Sequence, residues 1–115
     1  MKTILDTKGL LQRVQNDIPF VEEMLDIFRE NLPEYYEKIE ASILNKDGEA
    51  LREASHKLKG AIMSMGGVFA ITIAFELEQA GKNNDFSNAT KVLDKLKLEN
   101  MQLISAVQNL IKERQ

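Results

Sequence analysis

Apolar residues recur along this chain at spacings of three and four, the period of a helix with one buried face. Leu5, Leu10, Leu11 and Val14 predict a short first helix from Thr7 to Gln15, with Asp6 or Thr7 at its start and Gly9 weakening it. Asn16-Asp17 reads as a turn. Asp17 is suited to cap the next helix, and Pro19 falls in a first turn, where a missing N–H is tolerated. Phe20, Met24, Ile27, Phe28, Leu32, Tyr35, Ile39 and Ile43 then mark a long helical stripe. Pro33 removes one hydrogen bond within it, so the expectation is either one kinked helix from Pro19 to Leu44 or two helices meeting near Leu32.

Asn45-Lys46-Asp47-Gly48 is a turn, and a third helix is expected from Asp47 or Gly48 to about Met65. Its inward stripe is Leu51, Ala54, Leu58, Ala61, Ile62 and Met65, and Gly66-Gly67 stops it. A fourth helix is expected from Val68 to Ala80, with Ile71, Ala74, Phe75 and Leu77 on its apolar side and Gly81 as its terminator. Lys82 to Phe86 is a polar link. The last helix is expected from Ser87 to Lys112, centred on Val92, Leu96, Leu103, Val107 and Leu110. Together these elements predict an all-α fold: an antiparallel up-down four-helix bundle with a short additional N-terminal helix, residues 1–115 forming a single domain.

Composition narrows the function. A net charge of -3 offers no general attraction for nucleic acid or anionic lipid, and there is no basic strip. The absence of cysteine excludes disulfides, thiolate nucleophiles and cysteine metal sites, and is compatible with a cytoplasmic protein. No run of apolar residues is long enough for a membrane span, and the N-terminal residues lack the apolar stretch of a signal peptide. One histidine among scattered carboxylates is no metal-ligand set, and neither a glycine-rich nucleotide loop nor a magnesium-binding Asp/Asn set is present.

That histidine, His56, points away from the predicted core, about 140° from Leu51 and about 160° from Leu58 on an ideal helix. Lys59 and Gly60 lie one turn further on the same side. A glycine inside a helix costs about 1 kcal/mol relative to alanine, and at Gly60 it would leave the imidazole uncovered. An exposed nucleophilic ring with an ammonium beside it suits a phosphohistidine site. A surface histidine beside an ordinary lysine and an incidental glycine is the competing reading.

The segment Ala54-Ser55-His56-Lys57-Leu58-Lys59-Gly60-Ala61-Ile62-Met63-Ser64-Met65-Gly66-Gly67 resembles the signature of histidine phosphotransfer (HPt) domains. In that signature a histidine is followed by any residue, then Leu-Lys-Gly, a small residue, and a Gly-small pair at the helix end. Gly67 stands where alanine is more usual. The Asp47-Gly48 turn and the long preceding helix with its internal proline fit as well, so the resemblance covers essentially the whole chain.

The resemblance implies a phosphorelay intermediate. His56 would accept a phosphoryl group at Nε2 from a receiver-domain aspartyl phosphate and pass it to another receiver, without kinase activity of its own. Lys59 matches the family's lysine near the phosphate. Glu78 matches a position where the family carries glutamine or glutamate, hydrogen-bonded to the histidine. His56 lies about ten residues before the Gly66-Gly67 turn and Glu78 about eleven after it, so at about 1.5 Å of rise per residue the two reach one level of the bundle. Gly60 and Met63 would line the docking face. The domain itself needs no cofactor; magnesium is expected in the partner receiver. The implied partners are response-regulator receiver domains, including those of a hybrid sensor histidine kinase. Two alternatives belong beside this reading: the phosphate-accepting domain of a chemotaxis-type histidine kinase, and a non-catalytic helical adaptor.

Overall fold

Aspartates start the first three helices of the computed structural model, which describes residues 2–115. Asp6 accepts from Gly9 N–H at the head of α1 (Thr7–Arg13), Asp17 from Phe20 N–H at the head of α2 (Ile18–Leu44), and Asp47 from Ala50 N–H at the head of α3 (Gly48–Ser64). Each carboxylate takes one of the donors that a helix start leaves without an internal acceptor. Two further helices follow, α4 (Phe69–Lys82) and α5 (Ala89–Arg114).

The four turns between helices close alike. Asn16, Asp47, Gly67 and Asp85 donate their N–H groups back to the carbonyls of Leu11, Ser42, Ile62 and Ala80, at 2.8–3.0 Å. Each closure needs a left-handed residue just before the donor, supplied by Gln15, Lys46, Gly66 and Asn84. Only one of these is a glycine, which is why the sequence marks the Gly66 turn most plainly.

Helices α2 to α5 form a closed ring of contacts, α2 with α3, α3 with α4, α4 with α5 and α5 with α2. This is the expected antiparallel bundle with a short N-terminal helix. Leu51, Leu58 and Ile62 of α3, Ile39 of α2, Ile73 and Leu77 of α4, and Leu96 and Leu103 of α5 are fully buried in it. Truncating a leucine such as Leu58 to alanine should cost about 2–5 kcal/mol. Among the described residues no helix is long and apolar enough to cross a membrane.

One open alternative is resolved and two expectations are corrected. α2 is one helix through Pro33; the proline lies on the exposed side, as does Arg29, whose carbonyl loses its partner, so water can replace the lost bond. Its buried stripe is Val21, Leu25, Phe28, Leu32 and Ile39, while Phe20 and Ile27 face solvent. α4 does not stop at Gly81 but runs to Lys82, and Gly81 is buried where a Cβ would stand 2.4 Å from the Arg52 backbone nitrogen and 2.6 Å from the Gly48 carbonyl oxygen. That glycine is a point of close approach between α3 and α4.

The chain's beginning clamps the corner between α3 and α4. The N–H groups of Val68 and Phe69, at the start of α4, donate to the carbonyls of Ile4 and Thr3, which explains how α4 begins without a side-chain cap. Asp6 N–H reaches the Gly66 carbonyl at 2.8 Å, and Arg13 caps the end of α3 by donating to the Met63 and Ser64 carbonyls. Lys2 forms an ion pair with the buried Glu99 of α5.

Candidate functional site

The tight Gly66-Gly67 turn folds α4 back along α3, so residues on either side of it meet at matching heights. His56 and Glu78 are one such pair. Leu58 on α3 and Leu77 on α4, both fully buried, face the core, and their neighbours His56 and Glu78 emerge at the surface seam. The His56 side chain is 62% exposed and that of Glu78 only 14%.

Glu78 bridges two α3 side chains. Its Oε2 lies 3.2 Å from His56 Nδ1, and its Oε1 lies 2.7 Å from Lys59 Nζ. Burial pushes the Glu78 carboxyl up, but the hydrogen bond and charge of Lys59, followed by those of His56, outweigh burial and hold it below the usual carboxylate range. An ionised carboxylate only accepts hydrogen bonds. The proton in the His56–Glu78 contact therefore belongs to Nδ1, and a neutral imidazole so held carries its free lone pair on Nε2.

Lys59 is withdrawn from solvent for a charged residue, with a side-chain exposure of 18%. Besides Glu78 it meets the Phe75 ring, with Nζ 5.0 Å from the ring centroid. Gly60, one turn beyond His56, has open space where a side chain would begin: a Cβ there would have no neighbour within 4 Å. Met63 is exposed at the next turn, while its carbonyl is tied to Arg13. The structure thus brings His56, Lys59 and Glu78 into one contact set and lines up Gly60 and Met63 along the same helix as its open flank.

Phe75 is where the sequence reading fails. The apolar pattern puts it on the buried side of α4, yet it is 47% exposed. The helical spacing carries the signal: Phe75 sits about 160° from Leu77, whereas Ala70, Ile73, Ala74, Leu77 and Gly81 make a complete buried stripe without it. Among the described residues no cluster of His, Cys, Asp and Glu is arranged to hold a metal ion.

An exposed helical histidine with its Nδ1 held and a lysine sharing the same carboxylate suits a phosphohistidine carrier. The model of the Hpt domain family matches residues 23–113. The chain belongs to the Hpt family and is a histidine-containing phosphotransfer intermediate of the phosphorelay type, a carrier and not a kinase. Two solved structures share its fold. Histidine-containing phosphotransfer protein B from Pseudomonas aeruginosa PAO1 is 24% identical with a TM-score of 0.80, over 99% of this chain and 96% of that one. The histidine-containing phosphotransfer domain of ArcB from Escherichia coli is 20% identical with a TM-score of 0.71, over 97% of this chain and 96% of that one. No curated protein sequence matches the chain.

Proposed function

We propose that residues 1–115 act as one phosphotransfer domain in which Nε2 of His56 carries the phosphoryl group between receiver domains. The observation that carries this reading is the Glu78 contact at Nδ1, which leaves Nε2 as the available nucleophile on an exposed ring. In the loading step the Nε2 lone pair attacks the phosphorus of a receiver's aspartyl phosphate. The N–P bond forms, the P–O bond to the aspartate breaks, and the aspartate leaves as a carboxylate. The Nδ1 proton stays in its hydrogen bond to Glu78, whose carboxylate offsets the positive charge that develops on the ring. Unloading is the same step in reverse toward the aspartate of a second receiver.

Lys59 shares the Glu78 carboxylate with His56, and its ammonium would stabilise charge on the phosphoryl oxygens. The magnesium ion belongs to the receiver. Gly60 gives the partner room to reach His56, and Met63 adds apolar contact beside it. A relay partner must leave after each transfer, so a small, short-lived interface suits the task. Receivers of separate response regulators and of a hybrid sensor kinase both fit.

A second reading shares the same side chains. The His56, Lys59 and Glu78 set is also that of phosphate-accepting domains in chemotaxis-type kinases, which are loaded from ATP. Offering the protein, in parallel, magnesium with phosphorylated receivers and magnesium-ATP with a chemotaxis-type catalytic domain separates the two. Acid-labile label from the receivers alone is the expected result; label from the catalytic domain alone would replace the relay reading. Stable partner binding with no label from either would favour a non-catalytic adaptor.

A further inference from the structure

We infer that Phe75 is a positioning residue for the phosphoryl site, acting through Lys59. The inference rests on the reading that His56 carries the phosphoryl group and Lys59 faces it. Phe75 is a large apolar side chain left 47% exposed, outside the buried stripe of α4, and it does not fill the core. Its ring stands 5.0 Å from Lys59 Nζ. Glu78, three residues further along the same helix, holds that ammonium from another side at 2.7 Å.

The two holds differ in kind. Lys59 has a flexible four-carbon stem, with about 2 kcal/mol of rotamer entropy to lose when it is fixed. The Glu78 ion pair fixes it, but a carboxylate also competes with phosphate for the same charge. A phosphoryl group on Nε2 brings about -1.5 to -2 charges, and the ammonium must then divide itself between two anions. The aromatic ring attracts the cation through its face without accepting a strong hydrogen bond and without neutralising charge. It keeps the ammonium on a short arc beside His56 while leaving its N–H groups for the carboxylate and the phosphoryl oxygens. A purely apolar side chain of similar size would cover the same surface without that attraction.

This role is distinct from partner docking and can be measured with no partner present. The protein is loaded with phosphoramidate, a small donor that transfers its phosphoryl group to imidazole nitrogen, and the lifetime of the phosphohistidine is followed by acid-labile label. Phe75→Leu should shorten that lifetime about two- to fivefold, the range of a single exposed cation–π contact, while Phe75→Tyr restores it. In a Lys59→Ala background, Phe75→Leu should have no further effect. In the unphosphorylated protein the Lys59 ε-CH2 protons should show an upfield ring-current shift that disappears in Phe75→Leu and persists in Phe75→Tyr. An unchanged lifetime in Phe75→Leu, or the same loss with and without Lys59, would overturn the inference while leaving His56 as the carrier. Failure of the wild type to take label on His56 would instead remove the reading on which it rests.

Discussion

Glu78 Oε2 lies 3.2 Å from His56 Nδ1, joining two residues that stand 22 apart in sequence and on different helices. Because Lys59 engages the other oxygen at 2.7 Å, the carboxylate is held ionised and the histidine tautomer is fixed. Glutamine at this position keeps an acceptor for Nδ1–H but loses the ion pair with Lys59; leucine loses both. Transfer to Glu78→Leu should therefore slow by about tenfold or more, the equivalent of one charged hydrogen bond, and Glu78→Gln should lie between it and the wild type. Long-range nitrogen NMR of the imidazole should find the Nδ1–H form in the wild type and a mixture of tautomers in Glu78→Leu. A single Nδ1–H form in the leucine variant would mean that something other than Glu78 sets the tautomer.

The same carboxylate gives the fold an acid-sensitive contribution. Lys59 and then His56 overcome the effect of burial, so the folded-state pKa of Glu78 lies below its unfolded value. Such a group adds stability that is complete above the unfolded value and is lost as pH falls through the folded one. In urea unfolding, the advantage of wild type over Glu78→Gln should be full near neutrality, decline as pH drops below the usual carboxylate range, and vanish below the depressed value. An advantage that stayed constant through this acid window would show that Glu78 does not titrate as described.

Gly60 and Gly81 should respond oppositely to the same added methyl group. At Gly60 nothing lies within 4 Å of a Cβ, so Gly60→Ala should stabilise the isolated domain by about 1 kcal/mol through helix propensity. At Gly81 the methyl would meet the Arg52 nitrogen at 2.4 Å, and prising α3 from α4 should cost about 1–3 kcal/mol. Thermal unfolding of the two variants checks both signs.

Much of the fold follows from local chemistry that a sequence displays. Asp6, Asp17 and Asp47 cap helices because a short carboxylate reaches the N–H three residues on, and Gly66 ends α3 because its backbone turns left-handed. Counting residues on either side of that turn puts His56 and Glu78 at one level of the bundle. Tertiary facts left weaker traces. Gly81 looks like a helix stop until Arg52 is seen against it, and Arg13 as a cap for α3 depends on how α1 docks. Phe75 misleads because hydrophobicity alone suggests burial, and its aromatic face has a use only once Lys59 stands over it.

The open flank at Gly60 predicts a separation of stability from transfer. Gly60→Arg adds a long side chain into empty space, so the helix should persist while the approach of a receiver to His56 is blocked. Circular dichroism should be unchanged, and transfer from a phosphorylated receiver should fall by an order of magnitude or more, about the loss expected when reacting atoms are kept from close approach. Transfer at the wild-type rate in a helical Gly60→Arg protein would show that the partner does not approach over this residue.

The most direct measurement locates the phosphoryl group itself. Wild type and His56→Gln are incubated with a phosphorylated receiver and magnesium, and the product is mapped by phosphorus–nitrogen-correlated NMR with acid-lability as a control. The wild type should carry one acid-labile phosphoryl group on Nε2 of His56, with Nδ1 still protonated toward Glu78, and the folded His56→Gln protein should carry none. Label that survives in His56→Gln, or that sits on Nδ1, would contradict the assignment of His56 Nε2 as the carrier atom.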